Sequence, residues 1–158
     1  LYAEDFQPVL SRAERLDYHD TTINQRLIAP YVKRLQAADA VVFVFPTWSF
    51  GAPAILKGFF DRVMIPGVSF ALTEDGRAVP QLKNIRRIAA VVTYGRPWWL
   101  VRFAVGDLPR FQITRYFRRA CAAGARATYH ALYDMNRASA AQRQAFRDRV
   151  EAAMAAFA

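Results

Sequence analysis

Apolar and polar positions along the chain follow two periods. Val41 to Phe45 is an unbroken run of five β-branched or aromatic residues, the pattern of a strand covered on both faces in a parallel sheet. Pro46 ends the run, having no N–H to give to a ladder. Beyond it Leu56, Phe59, Phe60 and Val63 fall at i, i+3, i+4 and i+7, one apolar helical stripe that leaves Lys57, Asp61 and Arg62 for water. Pro53 suits the first position of that helix, and Gly51 permits a turn that a Cβ would obstruct.

The same reading extends in both directions. Residues 1–22 form an irregular connection with turn signals at Asp5, Pro8 and Ser11, and His19 is a surface histidine between acids. Leu27, Tyr31 and Leu35 give helical spacing over Ile23–Gln36, with Pro30 starting the final helix or kinking a longer one. Pro66-Gly67 marks a turn, Val68–Leu72 a short apolar loop, and Asp75-Gly76 with Pro80 a surface turn. Ile88–Thr93 and Ala127–Tyr133 are two further strands, the second carrying His130 as a structural histidine. Asp107 caps a helix begun by Pro109, with Ile113, Phe117, Ala120 and Cys121 on its apolar face and Arg115, Arg118 and Arg119 solvated. Ser139 and Gln142 make a capping box for the closing helix, which turns Phe146, Val150, Met154 and Phe157 to the sheet. Alternating strands and helices predict an α/β fold with a parallel sheet.

In an open parallel sheet, ligands bind beyond the carboxyl ends of the strands. Two such ends here are polar and aromatic: Thr47-Trp48-Ser49-Phe50 and Tyr94-Gly95-Arg96-Pro97-Trp98-Trp99. Unpaired amides beside aromatic rings suit a flat heteroaromatic ligand with a polar edge, and Gly95 lets the backbone approach a ring closely.

Composition narrows the classes. The 158 residues fit one domain, and 54% hydrophobic content is ample for a core. No apolar run approaches the roughly 20 residues of a membrane helix. One cysteine, Cys121, excludes an internal disulfide and a CxxC metal site, so no metal is expected and a cytoplasmic setting is the default; on the buried face its thiol acts as a small hydrophobe. The net charge of +9 comes largely from Arg dispersed along Ala-rich helices, which are solvated faces and no nucleic-acid footprint. No GxSxG, HExxH or P-loop pattern is present.

The gap-free stretch FPTWSFGAPAILKGFFDRV closely resembles the flavin-binding segment of flavodoxin-like NAD(P)H:quinone oxidoreductases. Leu1-Tyr2-Ala3, Pro8-Val9-Leu10-Ser11, Thr93-Tyr94-Gly95 and Gly106-Asp107 extend the resemblance more loosely over most of the chain. It implies a single flavodoxin-like flavin-binding domain over residues 1–158, a doubly wound α/β fold with parallel sheet order 2-1-3-4-5. It also implies a first strand and phosphate loop ahead of Leu1, a unit of about 30 residues. Without that strand Val41–Phe45 would lie at a sheet edge. The resemblance assigns FAD or FMN to Pro46, Thr47, Trp48, Ser49, Phe50, Thr93, Tyr94 and Gly95, with Tyr94 the catalytic candidate. Phe70 is a candidate lid reaching a partner subunit, or a plug of its own core. Trp98 and Trp99 line the substrate side, a dimer interface or the core. Two departures stand out: Ser49 sits where the family often has Trp, and Val105 where it carries a His before Gly-Asp.

The implied activity is ping-pong hydride transfer from NAD(P)H through the flavin to a quinone or similar flat acceptor, in a homodimer whose subunits share each cleft. A cofactor that brings its own reactivity accords with the missing acid–base pair. Two flavin alternatives share the segment: a regulatory flavoprotein attached to a transporter, and a flavodoxin-type electron carrier, which would usually be acidic.

Overall fold

The computed structural model describes residues 1–157. Three parallel strands, β1 (Ala40–Pro46), β4 (Arg87–Thr93) and β5 (Arg126–Leu132), form a sheet in the order β1-β4-β5. That is the 3-4-5 run of the expected order, with β1 at the edge. A separate antiparallel pair, β2 (Phe70–Leu72) and β3 (Ala78–Pro80), flanks the Asp75-Gly76 turn where only a surface turn was expected.

Register decides which side chains share a face. Phe43, Ala90 and Tyr129 lie in one row and Phe45, Val92 and Ala131 in another of the same face. Against it packs α3 (Ala54–Val63), whose Phe60 ring is 5.6 Å from that of Phe43. The helical stretch 108–120 covers the rest, with Phe117 4.9 Å from Phe43. This stretch is α4 (Leu108–Phe111), a π-helical segment (Gln112–Phe117) and α5 (Arg118–Ala120) in unbroken succession. On the opposite face Val42 and Val44 are 46% and 73% exposed, so β1 is covered on one face and not on both. A β-branched run signals a strand well but says nothing of what lies over it.

The N-terminal 22 residues are less irregular than expected. Ser11 and Glu14 form a capping box on the short helix α1 (Arg12–Leu16). Glu14 does double duty: it accepts from Arg62 Nε at 2.7 Å, while Arg62 also donates to the Gln7 carbonyl. Arg62, expected to face water on periodicity, is therefore buried at 8% exposure. Burial raises the Glu14 carboxyl, but its hydrogen bonds to Ser11 and Arg62 outweigh that and hold it below the ordinary glutamate value. An arginine inside an apolar stripe is admissible once a carboxylate from elsewhere meets it.

In the preceding helix α2 (Ala29–Ala37), Pro30 occupies the first turn, so it starts the helix and does not kink it. Ile28, Val32 and Leu35 are buried, whereas Leu27, read as part of the stripe, is 68% exposed ahead of the helix. The closing helix α6 (Ala140–Ala155) carries the expected Ser139–Gln142 capping box, with Phe146 buried and Val150, Met154 and Phe157 half-buried. Among the described residues no helix is long and apolar enough to cross a membrane.

Residues 7–8 cross α3 at Gly58, where a Cβ would lie 2.2 Å from the Pro8 carbonyl oxygen and 2.4 Å from its Cα. Alanine ordinarily improves a helix, but here it meets backbone. Gly58→Ala is expected to lower stability by about 1–3 kcal/mol, read as a fall in denaturation midpoint; a rise would refute the close crossing.

Candidate functional site

The carboxyl rim of the sheet is built by two strand ends that stay joined. The last β1–β4 pair is Pro46 with Thr93, and Pro46 cannot donate. Thr47 takes over: its N–H reaches the Thr93 carbonyl at 2.9 Å and its hydroxyl donates to the same oxygen at 3.1 Å.

Past Thr47 the chain reverses within two residues. Trp48 N–H donates to Gly51 O at 3.1 Å and Gly51 N–H to Trp48 O at 2.9 Å, leaving Ser49 and Phe50 as the corners. Their φ values are +48° and +61°, the pair of positive angles that a type I′ turn demands. Neither is glycine, and a left-handed phenylalanine is a conformational outlier costing about 1–3 kcal/mol. Gly51, expected to supply the turn, has no such angle, and a Cβ there would meet only Trp48 O at 3.8 Å. Among the described residues the Ser49 and Phe50 N–H groups have no acceptor.

The second loop leaves β4 at Tyr94, whose N–H donates to Leu132 O at 2.8 Å and whose carbonyl accepts from Met135 N–H at 2.9 Å. The Gly95 N–H has no acceptor among the described residues, and a Cβ at Gly95 would lie 3.2 Å from the Asn136 amide nitrogen.

Between the loops lies a cavity of about 300 Å³, lined by Thr47, Ser49, Phe50, Tyr94, Gly95, Arg96, Val101 and Asn136. A second of about 270 Å³ shares Gly95, Arg96 and Asn136 with it and adds Trp99, Asp134 and Arg137. Thus five of the sequence candidates meet around one slot, while Trp99 lines its neighbour. Pro46 and Thr93 lie in the strands below the slot, and Trp48 and Trp98 are 59% and 55% exposed and line neither cavity. Phe70 also lines neither, being paired with Pro80 in the β2–β3 hairpin. Asn136 and Arg137 were missed. The rule that found the other two loops points equally to the chain after β5.

Larger hollows of about 470 and 460 Å³ lie between β5 and α6 and along the β1 edge. Size alone does not select them; the smaller slot is the one with unpaired main-chain donors from two strand ends.

The Tyr94 phenol is 1% exposed, and its hydroxyl donates to Asp107 Oδ1 at 2.5 Å. Burial first, then hydrogen bonds to Asp107 and Tyr129, push it far above the ordinary tyrosine value, so it stays protonated. Asp107 makes no side-chain bond to the backbone N–H groups of the helix it precedes; in place of the expected cap its carboxylate points inward. Cys121 is buried, donates to Phe117 O at 3.3 Å and is pushed up to about 12 by burial, which leaves the thiol unreactive. His130 Nε2 is buried without a partner among the described residues.

A family model described as the flavodoxin-like fold matches residues 1–156, and the chain belongs to that family. A Haemophilus influenzae protein named as an uncharacterized NAD(P)H oxidoreductase is 37% identical over 95 residues, 60% of this chain and 46% of that protein. An FMN-dependent NADH:quinone oxidoreductase of Coprothermobacter proteolyticus is 37% identical over 68 residues, 43% of this chain and 33% of its own length. This chain therefore spans less than half the length of either relative. The crystal structure of Smu.1420 from Streptococcus mutans UA159 superposes with a TM-score of 0.77 at 25% identity, covering 94% of this chain and 76% of that one.

The strained corner yields a direct test. Ser49→Gly removes the left-handed penalty and is expected to raise stability by about 1 kcal/mol, whereas Gly51→Ala is nearly neutral. Chemical denaturation of both variants decides it; the reverse order would show that the turn is built otherwise.

Proposed function

We propose that the slot holds the ring system of a flavin, FMN by the relatives' names, and that the chain acts as an NAD(P)H dehydrogenase delivering reducing equivalents to a quinone or similar flat acceptor. The observation that carries this is the meeting of two strand-end loops with unpaired N–H groups at Ser49, Phe50 and Gly95 around one cavity. When bound, the flavin would supply the redox chemistry, hydride transfer between NAD(P)H and the acceptor in ping-pong order.

The chain's part is binding, orientation and polarity. The Ser49, Phe50 and Gly95 N–H groups would hold the polar edge of the ring and favour negative charge on it. Phe50 supplies an apolar wall. Tyr94, the catalytic candidate, contributes its main chain and a buried anchor, its hydroxyl being committed to Asp107. Arg96 and Arg137, unpaired among the described residues, line the adjoining cavity and suit the phosphates of a dinucleotide; Asp134 shares that wall and tempers their charge.

Residues 1–158 are read as one flavin-binding domain. Trp98, Trp99, Phe103, Leu108 and Phe111 are each more than half exposed, a concentration of apolar surface that supports a homodimer. The single buried thiol accords with a cytoplasmic setting.

The protein reconstituted with FMN is expected to be yellow, to bleach anaerobically with NAD(P)H and to recover colour with a quinone. Arg96→Gln combined with Arg137→Gln should raise the KM for NAD(P)H about tenfold at low salt with little change in kcat. Tight FMN binding without bleaching would favour a regulatory flavoprotein, and absence of binding would remove every flavin reading.

A further inference from the structure

Beneath the second site loop, three tyrosines, an aspartate and an arginine meet in a cluster whose side chains the proposed chemistry does not use. Asp107 is 4% exposed. Its Oδ1 accepts from Tyr94 at 2.5 Å, and its Oδ2 accepts from Arg110 Nε at 2.9 Å and from the Tyr133 hydroxyl at 3.3 Å. Tyr94 has a single hydroxyl proton, which goes to Asp107. The 2.5 Å contact between Tyr94 and Tyr129 oxygens therefore runs the other way, with Tyr129 donating. Three donors, from Tyr94, Tyr133 and Arg110, converge on one carboxylate, and Tyr129 backs the Tyr94 oxygen. Ring contacts close it: Tyr133 stacks on Tyr94 at 4.7 Å and 22°, and the Arg110 guanidinium lies 4.3 Å over the Tyr129 ring.

Such a cluster is expensive unless complete, since a buried carboxylate that loses a partner is strongly destabilising. Asp107 also has a left-handed backbone, φ +47°, and makes no cap bond in return. What the arrangement secures is Tyr94. That residue is held at its N–H by Leu132, at its carbonyl by Met135 and at its hydroxyl by Asp107. It stands between Thr93, whose carbonyl holds the first loop, and Gly95, whose free N–H lines the slot.

We propose that Asp107 is a positioning residue which, through the Tyr94 hydroxyl, fixes the Gly95 backbone at the slot and ties the helical stretch 108–120 to the ligand rim. The geometric part stands on the cluster alone; its consequence for affinity rests on the flavin reading.

The test compares the full chain with Asp107→Asn and, as the milder change, Tyr129→Phe, by hydrogen exchange and by FMN titration. Exchange across residues 93–99 is expected to quicken at least tenfold in Asp107→Asn and less in Tyr129→Phe, with residues 56–63 unchanged. FMN affinity should fall about tenfold in Asp107→Asn. Unchanged exchange at 93–99, or uniform quickening through both segments in both variants, overturns the positioning role. Should the parent chain bind no FMN, the flavin reading fails while the exchange comparison still decides the positioning. A parent that binds FMN with both variants matching it overturns the inference.

Discussion

The Thr93 carbonyl oxygen accepts two bonds from Thr47, one from its N–H and one from its hydroxyl, and the rim of the sheet depends on that junction. Proline at 46 stops the ladder between β1 and β4 at the level of Thr93, and without Thr47 the two chains would part there. Because they are held together one residue longer, the loops that follow diverge from a common point and enclose a slot between them. The tight reversal at Ser49 and Phe50 is a second consequence, since the chain must return at once toward α3 with no glycine at either corner. Backbone strain of this sort persists only where surrounding structure overdetermines it, and it concentrates at sites that handle ligands.

Beneath the rim the two layers divide the work. Phe43, Phe60 and Phe117 interlock on one face of the sheet and hold the strand ends at fixed height. On the other side of the slot the Asp107 cluster does by hydrogen bonding what the aromatic face does by packing. The slot thus hangs between an apolar anchor under β1 and a polar one under β4 and β5. At the slot the buried Tyr94 and Asp107 side chains are committed to each other and Arg96 lies on the rim, so what the chain presents there is main-chain donors and an aromatic wall.

Much of this was legible. The run Val41–Phe45, the helical stripe after Pro53, the strand IAAVVT and the Ser139–Gln142 box each carry a local signal, and each became the element expected. The order of the strands followed from resemblance, not from periodicity. Two of the failures share one cause, a contact set by a distant residue. Arg62 looked solvent-facing until Glu14, 48 positions away, was seen to meet it. Asp107 looked like a helix cap because the sequence does not show three tyrosine hydroxyl-bearing rings converging from β4 and β5. Gly51 looked like the turn residue because glycine usually is, whereas the left-handed corners fell on Ser49 and Phe50. The capping box at Ser11–Glu14 is a local signal of the same kind as Ser139–Gln142, in a stretch expected to be irregular.

Central to the account are three main-chain N–H groups, of Ser49, Phe50 and Gly95, left free at one rim to take the edge of a flat ligand. Amide-resolved NMR of the isotopically labelled chain during FMN titration addresses them one by one. The account predicts that these three resonances, with that of Asn136, shift first and furthest in saturable binding. Shifts confined to the hollow between β5 and α6 or to the β1 edge, with Ser49, Phe50 and Gly95 unmoved, would contradict it.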